Sequence, residues 1–212
     1  MTLGMSAPGL PVIVVAGMTD ANNSWEATMV EFTLHDEASA PDDSKALLAE
    51  VKRHNGFLPN LYGVLAESPQ ALAAYQATSE QFLRSSLSRA AKHVVWLTAS
   101  RRNKCHYCVA AHSAAAGAAK VDQAVIDAIR DDKPLEDPQL QAVRVFTDRL
   151  VTEAGWIDEQ EVQAFLDAGF TRRQILDIIT GVAQKTLSNY TNHLAHTPLD
   201  DALSPLQWNP QD

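Results

Sequence analysis

The 212-residue chain has only two cysteines, three residues apart, so no network of disulfides can staple the fold. It lacks any run of about 18 apolar residues, which excludes a transmembrane helix by length. The first 44 residues contain no lysine or arginine. Leu10 to Met18 is apolar enough to imitate the core of a secretory signal, but a signal needs a basic start and the first basic residue is Lys45, so the expected location is cytoplasmic. A net charge of −9 repels a phosphate backbone, and only Arg101, Arg102 and Lys104 cluster; nucleic acid is not an expected partner, nor is a membrane. Proline is missing from 70–133 and again from 139–197. Because proline breaks helix interiors, gaps of that length favour helices.

What remains is ordinary globular composition, 46% hydrophobic and 20% charged, in a chain of a length that favours one domain. Seven carboxylates fall in residues 1–44, while 45–212 hold the other 19 acids and all 17 bases. That asymmetry marks an acidic N-terminal arm (1–44), a nearly neutral helical body (45–200) and a short C-terminal tail (201–212). Pro11 to Val15 has the residues for one short strand. Ser68-Pro69 reads as a cap followed by proline at the first helical position, and Ser88, Asp122, Asp137 and Asp158 can cap four further helices. Thr171 and Gln174 have capping-box spacing at the head of the last long helix. With the small-residue stretch after Cys105, this gives about seven helices and an all-α, single-domain bundle. The segment 90–99 is apolar on almost every face, and one subunit would have difficulty concealing it, which points to a homo-oligomer.

The chemistry is concentrated in Cys105-His106-Tyr107-Cys108-Val109-Ala110-Ala111-His112. On a helix, Cys105, Cys108 and His112 share one face. A disulfide across two residues closes too small a loop to stabilise much, so the spacing suits redox work better than stapling. A helix N-terminus favours thiolate, and His112, one turn after Cys108, can take its proton. Two other readings use the same residues: the cysteines as small core hydrophobes beside a core histidine, or a zinc site completed by His93, His106 or His193. His193 and His196, spaced i, i+3, are either a metal pair or polar residues at a helix end.

From about Leu47 to Asp200 the sequence resembles the alkylhydroperoxidase D-like and carboxymuconolactone decarboxylase superfamily, in its peroxidase-related branch. The resemblance runs through Gly56-Phe57-Leu58-Pro59-Asn60-Leu61, Leu65-Ala66-Glu67-Ser68-Pro69 and Ser86-Leu87-Ser88. Its most specific part is Asn103-Lys104-Cys105-His106-Tyr107-Cys108 with His112. It implies an all-α subunit, assembled as a trimer or hexamer, that reduces hydroperoxides without metal or organic cofactor and is recycled by an external dithiol protein or small thiol. Cys108 resembles the peroxidatic cysteine, Cys105 the resolving one and His112 the proton-relay histidine. Many members carry a glutamate twelve residues before the first cysteine, where this chain has His93. His93 is then either a substitute relay or a histidine tolerated on an apolar helix. Other functions open at this stage are a redox adaptor or sensor with little turnover, and a lactone decarboxylase.

Overall fold

The structure, a computed structural model, describes residues 31–209. Among them are nine α-helices and no strand: α1 (Asp42–Asn55), α2 (Asn60–Leu65), α3 (Pro69–Leu83), α4 (Arg89–Arg102), α5 (His106–Ala118), α6 (Gln123–Arg130), α7 (Pro138–Thr152), α8 (Glu159–Asp167) and α9 (Arg172–Ala195). A 3₁₀ turn, Asp201–Leu206, follows. The fold is the expected all-α bundle. The strand expected at Pro11 to Val15 lies outside the described residues.

All six caps anticipated from the sequence form. Ser68, Ser88, Asp122, Asp137 and Asp158 each accept from a backbone N–H of the turn they open, and Thr171 with Gln174 makes a complete capping box. Two helices exceed the expected seven. α1 places Ser44, Leu48 and Val51 on its buried face, begins with Asp42 and Asp43, ends with Lys52, Arg53 and His54, and stops at Gly56 with φ +79°. Those are ordinary start and stop signals, half hidden inside the acidic stretch. α2 is only six residues long, too short for a periodic pattern to show.

α4 lies at the centre, packed against α5, α6, α7 and α9, with every residue from His93 to Ser100 buried. Val94, Val95 and Leu97 meet Ile126 and Ile129 of α6, Val143 and Phe146 of α7 and Ile178 of α9. This corrects one step of the sequence argument: the apolar face of 90–99 is covered within the subunit and needs no second copy. A second apolar cluster joins Leu48, Leu61, Leu72 and Tyr75 to Cys105, Tyr107 and Cys108. α9 reaches both clusters because residue 181 is glycine; a Cβ there would lie 2.6 Å from the Phe82 ring and 2.9 Å from Val95.

Packing continues past the bounds expected at 45 and 200. Ser44 donates to Ala66 O at 2.7 Å. At the other end, Arg130 donates to the carbonyls of Leu206 and Gln207, and Trp208 Nε1 donates back to Arg130 O. The Asp200 carboxylate accepts from the Tyr107 hydroxyl and from the Asn60 N–H. The C-terminal segment is thereby fastened over the start of α5. No described helix is long and apolar enough to cross a membrane.

Candidate active site

The corner between α4 and α5 is tight. Lys104 turns with φ +54°, and the Cys105 N–H donates to Ser100 O at 2.9 Å. Cys105 therefore becomes the N-cap residue of α5, and Cys108 sits in the first turn, beside the partial positive charge of the helix N-terminus. The cysteines are free, each 1% exposed, and approach to 3.3 Å.

The opposite wall is a stripe of α9, with Lys185, Ser188, Asn189 and Asn192 at helical spacing and all buried. Asn192 Nδ2 donates to Cys108 Sγ at 3.2 Å and reaches Cys105 Sγ at 3.9 Å. Ser188 Oγ lies 3.7 Å from Cys108 Sγ. Asn103 Nδ2 donates to Asn189 Oδ1 at 2.9 Å, tying this stripe to the α4–α5 corner. Lys185 contacts His112 Nε2, and its ammonium also lies over the rings of Tyr75 (5.9 Å) and Trp96 (6.0 Å).

These surroundings push the two thiols in opposite directions. Burial opposes a Cys108 thiolate, but the Cys105 thiol, the Lys185 charge, Ser188 and Asn189 outweigh it and lower the Cys108 pKa. Donation to Cys108, reinforced by burial, holds Cys105 protonated. The hydrogen bond between the two thiols and the groups around them thus favour thiolate at Cys108 and thiol at Cys105. Burial, then the Lys185 and His93 charges, depress His112 well below the usual histidine range, so its ring is neutral. Burial lowers the Lys185 pKa and the Cys108 and Cys105 charges oppose that; as an ammonium Lys185 can only donate, which makes Nε2 the acceptor and puts the ring proton on Nδ1.

The structure gathers Cys105, Cys108 and His112 at one place, with a difference from the sequence expectation. His112 is hydrogen-bonded to Lys185, and among the described residues no hydrogen bond joins it to either cysteine. His93 is 6% exposed and one layer further back: its ring stands edge-on to Trp96, which in turn packs on His112. No hydrogen bond links His93 to His112 among the described residues, and burial with Arg89 and Lys92 lowers its pKa. His106 is turned toward Trp208 O, and His193 lies exposed in the last turn of α9 with His196 just beyond it. No three His, Cys, Asp or Glu side chains converge as a metal-ligand set among the described residues.

A cavity of about 400 Å³ opens beside His112, with Phe57, Leu61, Tyr62, Tyr75 and Tyr107 among its largely apolar walls. Sequence reasoning missed Lys185 and Asn192. The one available signal was a run of polar residues, Lys185, Ser188, Asn189 and Asn192, at i, i+3, i+4 and i+7 on one face of α9.

Residues 69–146, from α3 into α7, match the carboxymuconolactone decarboxylase family model. Similar folds are found in the alkylhydroperoxidase AhpD core of a peroxidase-related protein from Ralstonia eutropha JMP134 (24% identity, 82% of this chain and 93% of that one, TM-score 0.73) and in a peroxidase-related protein from Silicibacter sp. TM1040 (22%, 88% and 97%, TM-score 0.70). The debrominase Bmp8, in complex with 2,3,4-tribromopyrrole, is similar at 15% identity over 88% of this chain and 97% of that one, with a TM-score of 0.70. No curated protein matches the chain. Residues 69–146 are thus similar to the carboxymuconolactone decarboxylase family, and the chain shares its fold with these peroxidase-related structures. The family-matched segment holds both cysteines, His93 and His112, whereas Lys185 and Asn192 lie outside it on α9.

Proposed function

We propose that the protein is a thiol-dependent peroxidase of the peroxidase-related branch, with Cys108 as the attacking thiolate and Cys105 as the resolving thiol. The observation that carries this reading is the pair of free, buried thiols 3.3 Å apart, one surrounded by groups that favour thiolate and the other kept protonated. Cys108 attacks a peroxide oxygen, the O–O bond breaks, and the sulfenic acid formed condenses with the Cys105 thiol to give a disulfide and water. An external dithiol protein or small thiol returns the pair to the reduced state. His112, on the wall of the cavity, moves the proton that the leaving oxygen needs. None of these steps calls for a metal or an organic cofactor.

The setting proposed is a cytoplasmic homo-oligomer, trimer or hexamer. The exposed apolar residues Leu176, Ile179, Tyr190 and Leu194 of α9 supply the contact surface for which the buried α4 is unsuited. Sedimentation giving only a 23.1 kDa species would remove the oligomer.

The deciding experiment offers cumene hydroperoxide with a dithiol reductant to the wild type and to Cys108→Ser. Wild type should consume peroxide and, without reductant, lose two hydrogens in intact mass, recovering them with dithiothreitol. Cys108→Ser should do neither. Two thiols that stay alkylatable after peroxide would overturn the reading. The likeness to Bmp8 and the apolar cavity favour one second reading, reductive removal of bromine from a small aromatic by the same pair. 2,3,4-Tribromopyrrole offered in place of peroxide separates the two. A disulfide that forms once without catalytic turnover of either compound would leave a redox adaptor or sensor.

A further inference from the structure

Lys185 has no exposed surface, and among the described residues no Asp or Glu pairs with it. The groups that face it are Cys105, Cys108 and His112 from α5, the Tyr75 hydroxyl-bearing ring from α3 and the Trp96 ring from α4, with His93 behind that ring. The only one of these held as an anion is Cys108. A buried ammonium must be compensated or give up its proton. Its compensation here is therefore a charge that disappears each time the cysteines are oxidised. The one hydrogen-bond partner of its ammonium, His112, lines the cavity and keeps a buried Nδ1 with no other partner among the described residues.

We propose that Lys185 is the acid of the redox cycle: its ammonium balances the Cys108 thiolate in the reduced protein and releases one proton, through His112, when that thiolate is oxidised. The proposal rests on the thiol peroxidase reading above. Cys108 sulfur forms a bond to one peroxide oxygen, the O–O bond breaks, and its electron pair leaves with the alkoxide. The alkoxide takes the His112 Nδ1 proton while Nε2 takes one from Lys185. An alcohol, a neutral amine and the other imidazole tautomer remain. The Cys105 thiol then displaces hydroxide from the sulfenic acid, and its own proton completes water. Two electrons pass from the cysteines to the peroxide, and no proton is exchanged with solvent. The oxidised site is a disulfide beside an uncharged lysine, so neither redox state buries an unbalanced charge.

The test counts protons. Reduced wild-type protein is oxidised stoichiometrically in weak buffer with a pH indicator, once with cumene hydroperoxide and once with diamide, which accepts two electrons and two protons from a dithiol. Both should give a disulfide with essentially no proton taken from solvent. Uptake of one proton per disulfide means that Lys185 stays charged and overturns the proposal. Ultraviolet thiolate absorbance should be present in the reduced wild type at neutral pH and lost in Lys185→Met; its absence from the first, or its persistence in a folded second, also overturns it. Lys185→Arg keeps the charge but does not release a proton. It should retain thiolate absorbance and alkylation rate while peroxide oxidation slows on the order of 100-fold. Should cumene hydroperoxide leave the thiols untouched while diamide gives a proton-neutral disulfide, the peroxidase reading fails and the Lys185 assignment stands.

Discussion

Two buried regions of this bundle are both walled by packed helices and differ in what they enclose. Around α7 and α8, Phe146, Phe165 and Phe170 stack with ring centroids 4.4 Å apart, an apolar core of the kind that burial alone stabilises. Between α9 and its neighbours α3 and α5 the interior holds Lys185, Gln184, Ser188, Asn189 and Asn192. There, His112 Nδ1, Gln184 Oε1, Asn189 Nδ2 and Asn192 Oδ1 lack hydrogen-bond partners among the described residues. An unsatisfied buried polar group costs about 1–3 kcal/mol. The apolar region lowers the free energy of the fold, and the polar seam draws on that surplus to hold a thiolate. Stability and chemistry should therefore respond to mutation on opposite sides of α4.

The largest effect expected on stability is on the apolar side. Phe165→Ala opens a cavity between Phe146 and Phe170 and should cost about 3–5 kcal/mol, measured by urea unfolding of the reduced protein. Its thiolate absorbance should match the wild type's. A change in thiol titration would show that the two regions are coupled and break the contrast. Gly181→Ala comes next, because it acts where they meet. A Cβ 2.6 Å from Phe82 forces the ring or the helix to shift, at about 1–3 kcal/mol, and the α9 stripe moves with it. This variant should lose both stability and fast Cys108 alkylation. Loss of stability alone would mean that the Phe82 ring yields and α9 stays in place.

The same contrast explains what could be read from the sequence. Caps and proline gaps are local, so Ser68, Ser88, Asp122, Asp137, Asp158 and the Thr171–Gln174 box were legible one residue at a time. The Cys105–Cys108 pair and His112 were legible because one helical turn carries all three. Lys185 was not: it is 73 residues from His112, and a lone lysine on a helix is ordinarily a solvated one. The meaning of Asn192 depends on a contact 84 residues away in sequence. His93 illustrates the converse. Its place twelve residues before Cys105 suggested a direct link to His112, yet Trp96 packs against both rings. Chain spacing fixes the position along α4 but not which neighbour fills the gap.

The most gradual expected effect concerns pH, and it too should follow the polar seam. His112 and His93 both have folded pKa values below the ordinary histidine value of 6.5, chiefly because burial disfavours the charged ring. Below pH 6.5 the unfolded chain therefore binds protons that the folded protein does not, and stability falls as pH falls. Above 6.5 both states hold neutral rings, and these histidines contribute no slope. Each can add up to about 1.4 kcal/mol per pH unit within the window. Urea unfolding of the reduced wild type between pH 7.5 and 5 should thus be flat at first and then decline. His112→Phe and His93→Phe should each remove part of the decline, whereas Phe165→Ala should lower the whole curve without changing its shape. A wild-type curve that stays level to pH 5 would mean that the two rings are charged in the folded protein. In that case His112 could not accept from Lys185, and the seam would hold its thiolate by the amide of Asn192 and the start of α5 instead.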